Sequence, residues 1–74
     1  MKIKFSRHAR RQMKWRKIEE NELKEAVSNP EKLEDTIKGR KNAFKMVEGR
    51  LLKVTYLPEG RDEITVITTI VKGE

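Results

Sequence analysis

The segment "EAVSNPEKLEDTI", residues 25–37, contains the change of pattern that decides the fold. Before it, Leu23, Ala26 and Val27 recur at the spacing of a helix, whereas after it apolar and polar residues alternate as they do in strands. Pro30 ends the helical part, because proline has no backbone N–H with which to continue a helix. The chain therefore divides at Pro30 into a helical half and a β-rich half.

Two helices are predicted on the N-terminal side of Pro30. Ser6 is a suitable N-cap for a helix that runs to about Lys17, because its hydroxyl can accept a backbone N–H of the first turn. The second helix is predicted from about Glu20 to Ser28. With a short connection between them, the two helices form an αα-hairpin.

Four consecutive antiparallel strands are predicted on the C-terminal side. They correspond to "KLEDTI" (32–37), "NAFKMVE" (42–48), "LLKVTYL" (51–57) and "EITVITTIV" (63–71). Alternation places Phe44 and Met46 on the same face as Leu52, Val54 and Tyr56, which we expect the helices to cover. Because the last run is apolar on both sides, its strand is predicted to be central.

The predicted fold is a single α+β domain over residues 1–74, with an αα-hairpin packed on one face of a four-stranded antiparallel sheet. The other face of the sheet is expected to be open. The sequence has no cysteine and one histidine, which argues against disulfides and against a zinc site. No apolar run approaches the roughly 20 residues of a membrane span. We therefore expect a cytoplasmic protein without cofactors and without membrane association.

The net charge of +6 is unevenly distributed. Residues 1–17 carry eight Lys or Arg and no acidic residue, whereas residues 19–35 carry seven acidic residues and two lysines. This asymmetry favours a polyanionic partner on one side of the molecule. An ion-paired surface of the thermophile type is the alternative interpretation of the charges outside the first 17 residues.

The first helix divides into faces when its residues are placed about 100° apart. Phe5, Ala9 and Met13 form an apolar side that also includes Arg16. His8 and Trp15 lie together on one flank, with Gln12 between them and the apolar side. The opposite side is basic and is a candidate nucleic-acid-binding surface, or else a solvated face; its members are Arg7, Arg10, Arg11 and Lys14.

A second basic candidate lies in the predicted sheet. If Phe44 and Met46 are covered, Lys45 pairs with Lys53 on the open face, and two like charges directly opposite each other are unfavourable. Either the two side chains extend into water or the face binds an anion. Lys45 and Lys53 are therefore added to the predicted nucleic-acid-binding residues.

The run His8-Ala9-x-x-Gln12-Met13-x-x-Arg16-x-Ile18 resembles the opening signature of a small family of unknown function, H-A-x-x-(R/Q)-M-x-x-R-G-I. In that family a second helix ending in N-P follows, as "EAVSNP" does in this sequence. "GRKNAF", "LLKVTYL" and "ITVIT" resemble its basic hairpin and last strands. The sequence departs from the pattern at Lys17, where the family usually has Gly, and at Glu19, where Thr usually caps the second helix.

That family is similar to the RelE/ParE and BrnT toxins and is grouped with the barnase, EndoU and colicin-type ribonucleases. The resemblance implies a RelE-like fold, metal-free RNA cleavage in active members and, often, neutralisation by an antitoxin protein. It also implies that His8, Arg16 and Gln12 occupy the catalytic positions.

Two hypotheses follow from the residues and the resemblance. The first is a RelE/BrnT-like toxin of a toxin-antitoxin system, acting as a metal-independent endoribonuclease on RNA, including ribosome-bound mRNA. The alternative is a non-catalytic nucleic-acid- or protein-binding module related to such toxins. In that case the partner is RNA, DNA or an acidic antitoxin-like peptide.

Overall fold

The computed structural model describes residues 2–36 and 38–72 and contains two helices and five strands in that part of the chain. Helix α1 spans Arg7–Arg16 and helix α2 spans Glu20–Ser28, as predicted. The strands are β1 (Lys2–Phe5), β2 (Lys32–Asp35), β3 (Lys41–Val47), β4 (Arg50–Pro58) and β5 (Glu63–Lys72). Ile37, at the end of the first predicted strand, lies outside the described residues. The α+β class is confirmed.

The sheet has five strands in the order β1-β5-β4-β3-β2, so the prediction of four strands was wrong. The additional strand is β1, which runs parallel to β5, whereas all other neighbours are antiparallel. β1 has only four residues, "KIKF", and its partner lies some 60 residues further along the chain. A run so short has little local signal, and the strand forms because β5 presents an edge for it to pair with. β5 is flanked by β1 and β4, as its two-sided apolar pattern predicted.

Both helices pack on one face of the sheet, α1 against β5 and α2 against β3 and β4. The core between the layers is small and apolar. Its buried residues are Ala9, Met13, Ile18, Leu23, Ala26, Val27, Ala43, Leu52, Val54, Tyr56, Ile64 and Val66. Neither helix of the described ranges is long and apolar enough to cross a membrane.

The predicted face assignment of β3 was wrong by one residue. Ala43 pairs with Val54 and faces the core, whereas Met46 is 48% exposed on the opposite face, together with Phe44. The turn explains this register, because β3 and β4 are joined by only two residues, Glu48 (φ 50°) and Gly49 (φ 81°). Two consecutive residues with positive φ make a tight hairpin turn that pairs Val47 directly with the first residue of β4. A one-residue change of register exchanges the two faces of a strand.

β5 contains a bulge that changes which of its side chains face the helices. Thr55 pairs with Thr68, but the next residue of β4, Tyr56, pairs with Val66, so Ile67 is left without a partner. Ile64 and Val66 face the core before the bulge, and Thr69 faces it afterwards. The apolar pattern on both sides of β5 thus has two causes. One is the bulge, which shifts the alternation by one residue, and the other is the position of β5 between two strands.

Candidate nucleic-acid interface

Ser6 fixes the N-terminal end of α1 to strand β5, in the interior of the sheet. Its hydroxyl accepts the backbone N–H of Ala9 at 3.0 Å, which makes it the N-cap, and donates to the Ile67 carbonyl at 2.8 Å. Its own backbone N–H donates to the Val66 carbonyl at 2.9 Å. The bulge on β5 thus supplies the carbonyl that anchors the helix. As a result, the outward face of α1 has a set position on the sheet.

Arg50, at the start of β4, fixes the other end of α1. Its guanidinium donates to the Arg16 carbonyl at 2.8 Å and to the Lys17 carbonyl at 3.3 Å, and it also reaches a Glu22 oxygen at 2.9 Å. A cation at this point stabilises the partly negative C-terminal end of a helix. No local pattern in the sequence points to Arg50, because two of its partners are backbone carbonyls of another element.

Lys17 adopts the left-handed conformation that glycine would take, with φ 55° and ψ 49°. The chain then turns so that the Ile18 N–H donates to the Met13 carbonyl at 2.8 Å. At the start of α2, the Glu22 side chain accepts the Glu19 N–H at 2.9 Å. The turn therefore forms although Lys17 and Glu19 stand where the motif expected from the resemblance has Gly and Thr.

The three predicted catalytic residues lie in a single row along α1. His8, Gln12 and Arg16 are four residues apart, a spacing that places them one above the other on the helix surface. Gln12 accepts a hydrogen bond from Arg16 Nε at 3.1 Å, so these two are in direct contact. His8 is exposed and makes no hydrogen bond or ion pair with the described residues. It lies about 12 Å from Arg16 along the helix axis, two turns away.

Arg16 is half-buried, which agrees with its predicted place on the apolar side of the helix, and its guanidinium lies over Trp15. Its guanidinium carbon is 5.3 Å from the centroid of the Trp15 ring. Trp15 itself is 73% exposed, the most exposed large apolar side chain of the described residues. Arg50 links this helix end to the sheet by donating to the Arg16 carbonyl.

The predicted basic stripe of α1 is exposed, as expected. Arg7, Arg11 and Lys14 make no ion pair with any described residue. Arg10 differs from them, because it lies 5.1 Å from the centroid of the Phe5 ring and 3.6 Å from a Glu20 carboxylate oxygen. Three cations on α1 thus project into solvent without a compensating carboxylate.

The two lysines predicted to pair on the open face lie on opposite faces of the sheet, so that prediction was wrong. Lys45 pairs with Leu52 on the helix side, where its side chain is 17% exposed and lies 3.9 Å from Glu25. Lys53 pairs with Phe44 on the open face, with its ammonium nitrogen 6.0 Å from the centroid of that ring. The reason is the one-residue register set by the Glu48-Gly49 turn.

The open face of the sheet carries a shallow groove of about 430 Å³. Its lining residues are Glu31, Lys32, Glu34, Phe44, Leu51, Lys53 and Lys72. Lys32 lies 5.6 Å from the centroid of the Phe44 ring and also pairs with Glu34 at 3.2 Å. Acidic and basic side chains therefore alternate around this groove, whereas α1 has cations alone.

Two ion pairs outside α1 carry shifted pKa values. Lys4 lies 2.7 Å from Glu63 and joins β1 to β5; their hydrogen bond lowers the pKa of the Glu63 carboxyl and raises that of Lys4. Lys41 donates to Asp35 at 2.6 Å across β2 and β3, which raises the pKa of Lys41. Both pairs belong to the edges of the sheet and stabilise strand pairing.

Within residues 2–36 and 38–72, no group of three or more His, Cys, Asp or Glu side chains is placed to hold a metal ion. The chemistry that the α1 face offers is cationic and aromatic, with one imidazole. Fold and site together define a small basic α+β domain whose first helix presents an exposed cationic surface.

The chain belongs to a known family, described as a domain of unknown function, DUF4258, whose model matches residues 5–71. This confirms the predicted kinship with a small family of unknown function. No curated protein matches the chain, and no solved structure matches it. The similarity to RelE and BrnT toxins remains a prediction.

Proposed function

We propose that this protein is a RelE/BrnT-like toxin-family endoribonuclease that binds RNA on the outer face of α1 and cleaves it without a metal ion. The observation that supports this most is the row of exposed His8 and half-buried Gln12 and Arg16, beside cations that have no carboxylate partner among the described residues. Histidine is the residue type best suited to proton transfer near neutral pH, and arginine to phosphate binding.

In this proposal His8 takes the proton of a ribose 2′-hydroxyl while the 2′-oxygen attacks the adjacent phosphorus. The bond to the 5′-oxygen breaks, and that oxygen takes a proton from water. The products are a 2′,3′-cyclic phosphate end and a 5′-hydroxyl end, so no oxidant or co-reactant is needed.

The spacing along α1 assigns different cations to different phosphates. Arg11 follows His8 by three residues, about one helical turn, and is thus the nearer cation to a phosphate attacked beside His8. Arg11 would stabilise the charge that develops on that phosphate. Arg16, two turns away and held by Gln12, would bind the neighbouring part of the RNA strand. Lys45, which faces α2, has no part in this site.

The test is cleavage of a labelled RNA in the presence of EDTA by the wild type and by His8→Ala. Loss of a general base lowers cleavage by about 10²- to 10⁴-fold. Lys24→Ala is the matched control, because it replaces an exposed side chain on α2, away from the row. Cleavage that stops with EDTA, or that His8→Ala leaves unchanged, would contradict the mechanism.

A non-catalytic nucleic-acid-binding module is the second candidate, and one observation favours it. His8 makes no hydrogen bond or ion pair with a described residue that would orient it, whereas catalytic histidines are usually held by a partner. This alternative predicts RNA binding that falls steeply with salt, as counterions are released, and intact RNA in every sample. An acidic antitoxin-like protein would compete with RNA for the same cationic face.

A further inference from the structure

We propose that Trp15 is a stacking platform for one base of a single-stranded RNA, and that this contact makes single strands the preferred substrate class. The inference rests on the proposed function, since it requires RNA on the face of α1. It adds a residue and a strand preference that the row of His8, Gln12 and Arg16 does not itself supply.

The exposure of Trp15 is the first argument. An indole usually contributes large apolar area to a core, yet this one is 73% exposed on a helix whose core-facing residues are Ala9 and Met13. Its exposure costs solvation free energy that a bound apolar or aromatic group would recover.

The second argument is that a guanidinium supports one side of the ring. Arg16 lies over it at 5.3 Å, and Gln12 accepts a hydrogen bond from Arg16 Nε at 3.1 Å. Arg50 in turn holds the carbonyl of Arg16 at 2.8 Å. A ring supported on one side by a guanidinium and otherwise exposed offers its remaining surface to a flat ligand.

The third argument is the charge around the ring. Arg11 lies one turn before Trp15 on the same face, and Lys14 is its neighbour in sequence; neither has an ion-pair partner among the described residues. Residues 7–16 contain no acidic residue. Successive aromatic and cationic side chains are how proteins bind single-stranded nucleic acid with little sequence preference. A protein partner would have to supply its own carboxylates to this surface.

The spacing of residues along α1 sets the order in which the RNA strand would meet them. His8 and Trp15 are seven residues apart, about 10 Å along the axis, with Arg11 between them. A base on Trp15 would leave its phosphate near Arg11 and bring the adjoining nucleotide to His8. Bases inside a duplex are stacked on each other and cannot stack on Trp15, so a duplex would make only the phosphate contacts.

The chain has a single tryptophan, so its fluorescence reports on Trp15 alone. We suggest titrating the His8→Ala protein, in which the RNA stays intact, with oligouridylate and separately with an RNA duplex. Quenching by oligouridylate, but not by the duplex, is the expected result. Trp15→Ala, Trp15→Phe and Leu33→Ala are then each introduced into the His8→Ala protein, and their affinities for RNA are measured with a label on the RNA. Leu33 is the control because it is apolar and 48% exposed at the β2 edge.

Trp15→Ala should weaken oligouridylate binding by about 5- to 150-fold, the range for loss of one base-aromatic stack. Trp15→Phe should restore most of the affinity, and duplex binding should be the same for all variants. The proposal would be overturned if Trp15→Ala and Leu33→Ala bound oligouridylate with equal affinity, or if the Trp15 fluorescence did not change at saturation. The indole would then be left as a contact for a protein. His8-dependent cleavage together with that result would keep the proposed function intact, whereas absence of any RNA binding would refute both.

Discussion

Lys17→Gly is expected to stabilise the protein, because Lys17 has φ 55° and ψ 49° in the turn between the helices. The left-handed conformation costs a residue with a Cβ about 1–2 kcal/mol, while glycine adds about 0.5–1 kcal/mol of unfolded-state entropy. The difference is a gain of about 0.5–1 kcal/mol in the free energy of unfolding, or about 2–8 °C in Tm for a domain of this size. The turn's hydrogen bond from Ile18 to Met13 involves backbone atoms only and is retained.

The assay is urea and thermal unfolding followed by far-UV circular dichroism at pH 7. Lys17→Ala is the matched control, because it removes the same charge and the same long side chain but keeps the Cβ in the left-handed region. We expect Lys17→Ala to stay within about 0.5 kcal/mol of the wild type, as surface substitutions usually do. Equal stability of the Gly and Ala variants would refute the reasoning, since backbone strain would then not limit this turn.

Two further predictions concern the sheet. Thr69 is fully buried and its Oγ1 has no hydrogen-bond partner, so Thr69→Val should raise the free energy of unfolding by about 1 kcal/mol. Thr55→Val should lower the free energy of unfolding by about 0.5–1.5 kcal/mol, because Thr55 donates a hydrogen bond to Asn42 at 2.7 Å. Both free energies are measured by urea unfolding, and a change of the same sign for the two variants would contradict this reasoning. Glu63→Gln should reduce the loss of Tm between pH 7 and pH 3. Lys4 lowers the pKa of Glu63 in the folded protein, so this stabilisation is present above the ordinary value of 4.5 and disappears as the pH falls through the lowered value. Glu48→Gln, which removes an exposed carboxylate that has no ion pair with a described residue, should leave the pH dependence unchanged.

The helices illustrate how much a local pattern can predict. Ser6, Pro30 and the spacing of Leu23, Ala26 and Val27 placed both helices with their observed bounds, because caps and breakers act within one or two turns. The candidate row of His8, Gln12 and Arg16 came from the resemblance to the family motif, whereas the helical periodicity placed His8 and Trp15 together on one flank. Its cationic neighbours Arg7, Arg11 and Lys14 were equally predictable, since a helix that packs on a sheet turns its charged side outward.

Side chains that depend on distant backbone were not predictable in the same way. Arg50 was missed and Lys45 was assigned to the wrong face, because the partners of both are set by how the β3-β4 hairpin meets the helices. Arg16 is half-buried, as its place on the apolar side of the helical wheel indicated, but its contacts with Gln12 and Trp15 depend on side-chain positions that a helical wheel does not give.

The sequence alone thus specified the α+β class, both helices, four of the strands and the basic outward face of α1, since each of these depends on residues close together in the chain. Tertiary structure decided the fifth strand, the register of β3 and the bulge at Ile67. These depend on which backbone groups pair across long stretches of chain and on a two-residue turn whose geometry the pattern did not disclose. Tertiary structure also decided how Ser6 and Arg50 anchor α1, because both side chains bind carbonyls that only the assembled sheet and helix end present. This anchoring sets the exposed positions of Trp15 and His8.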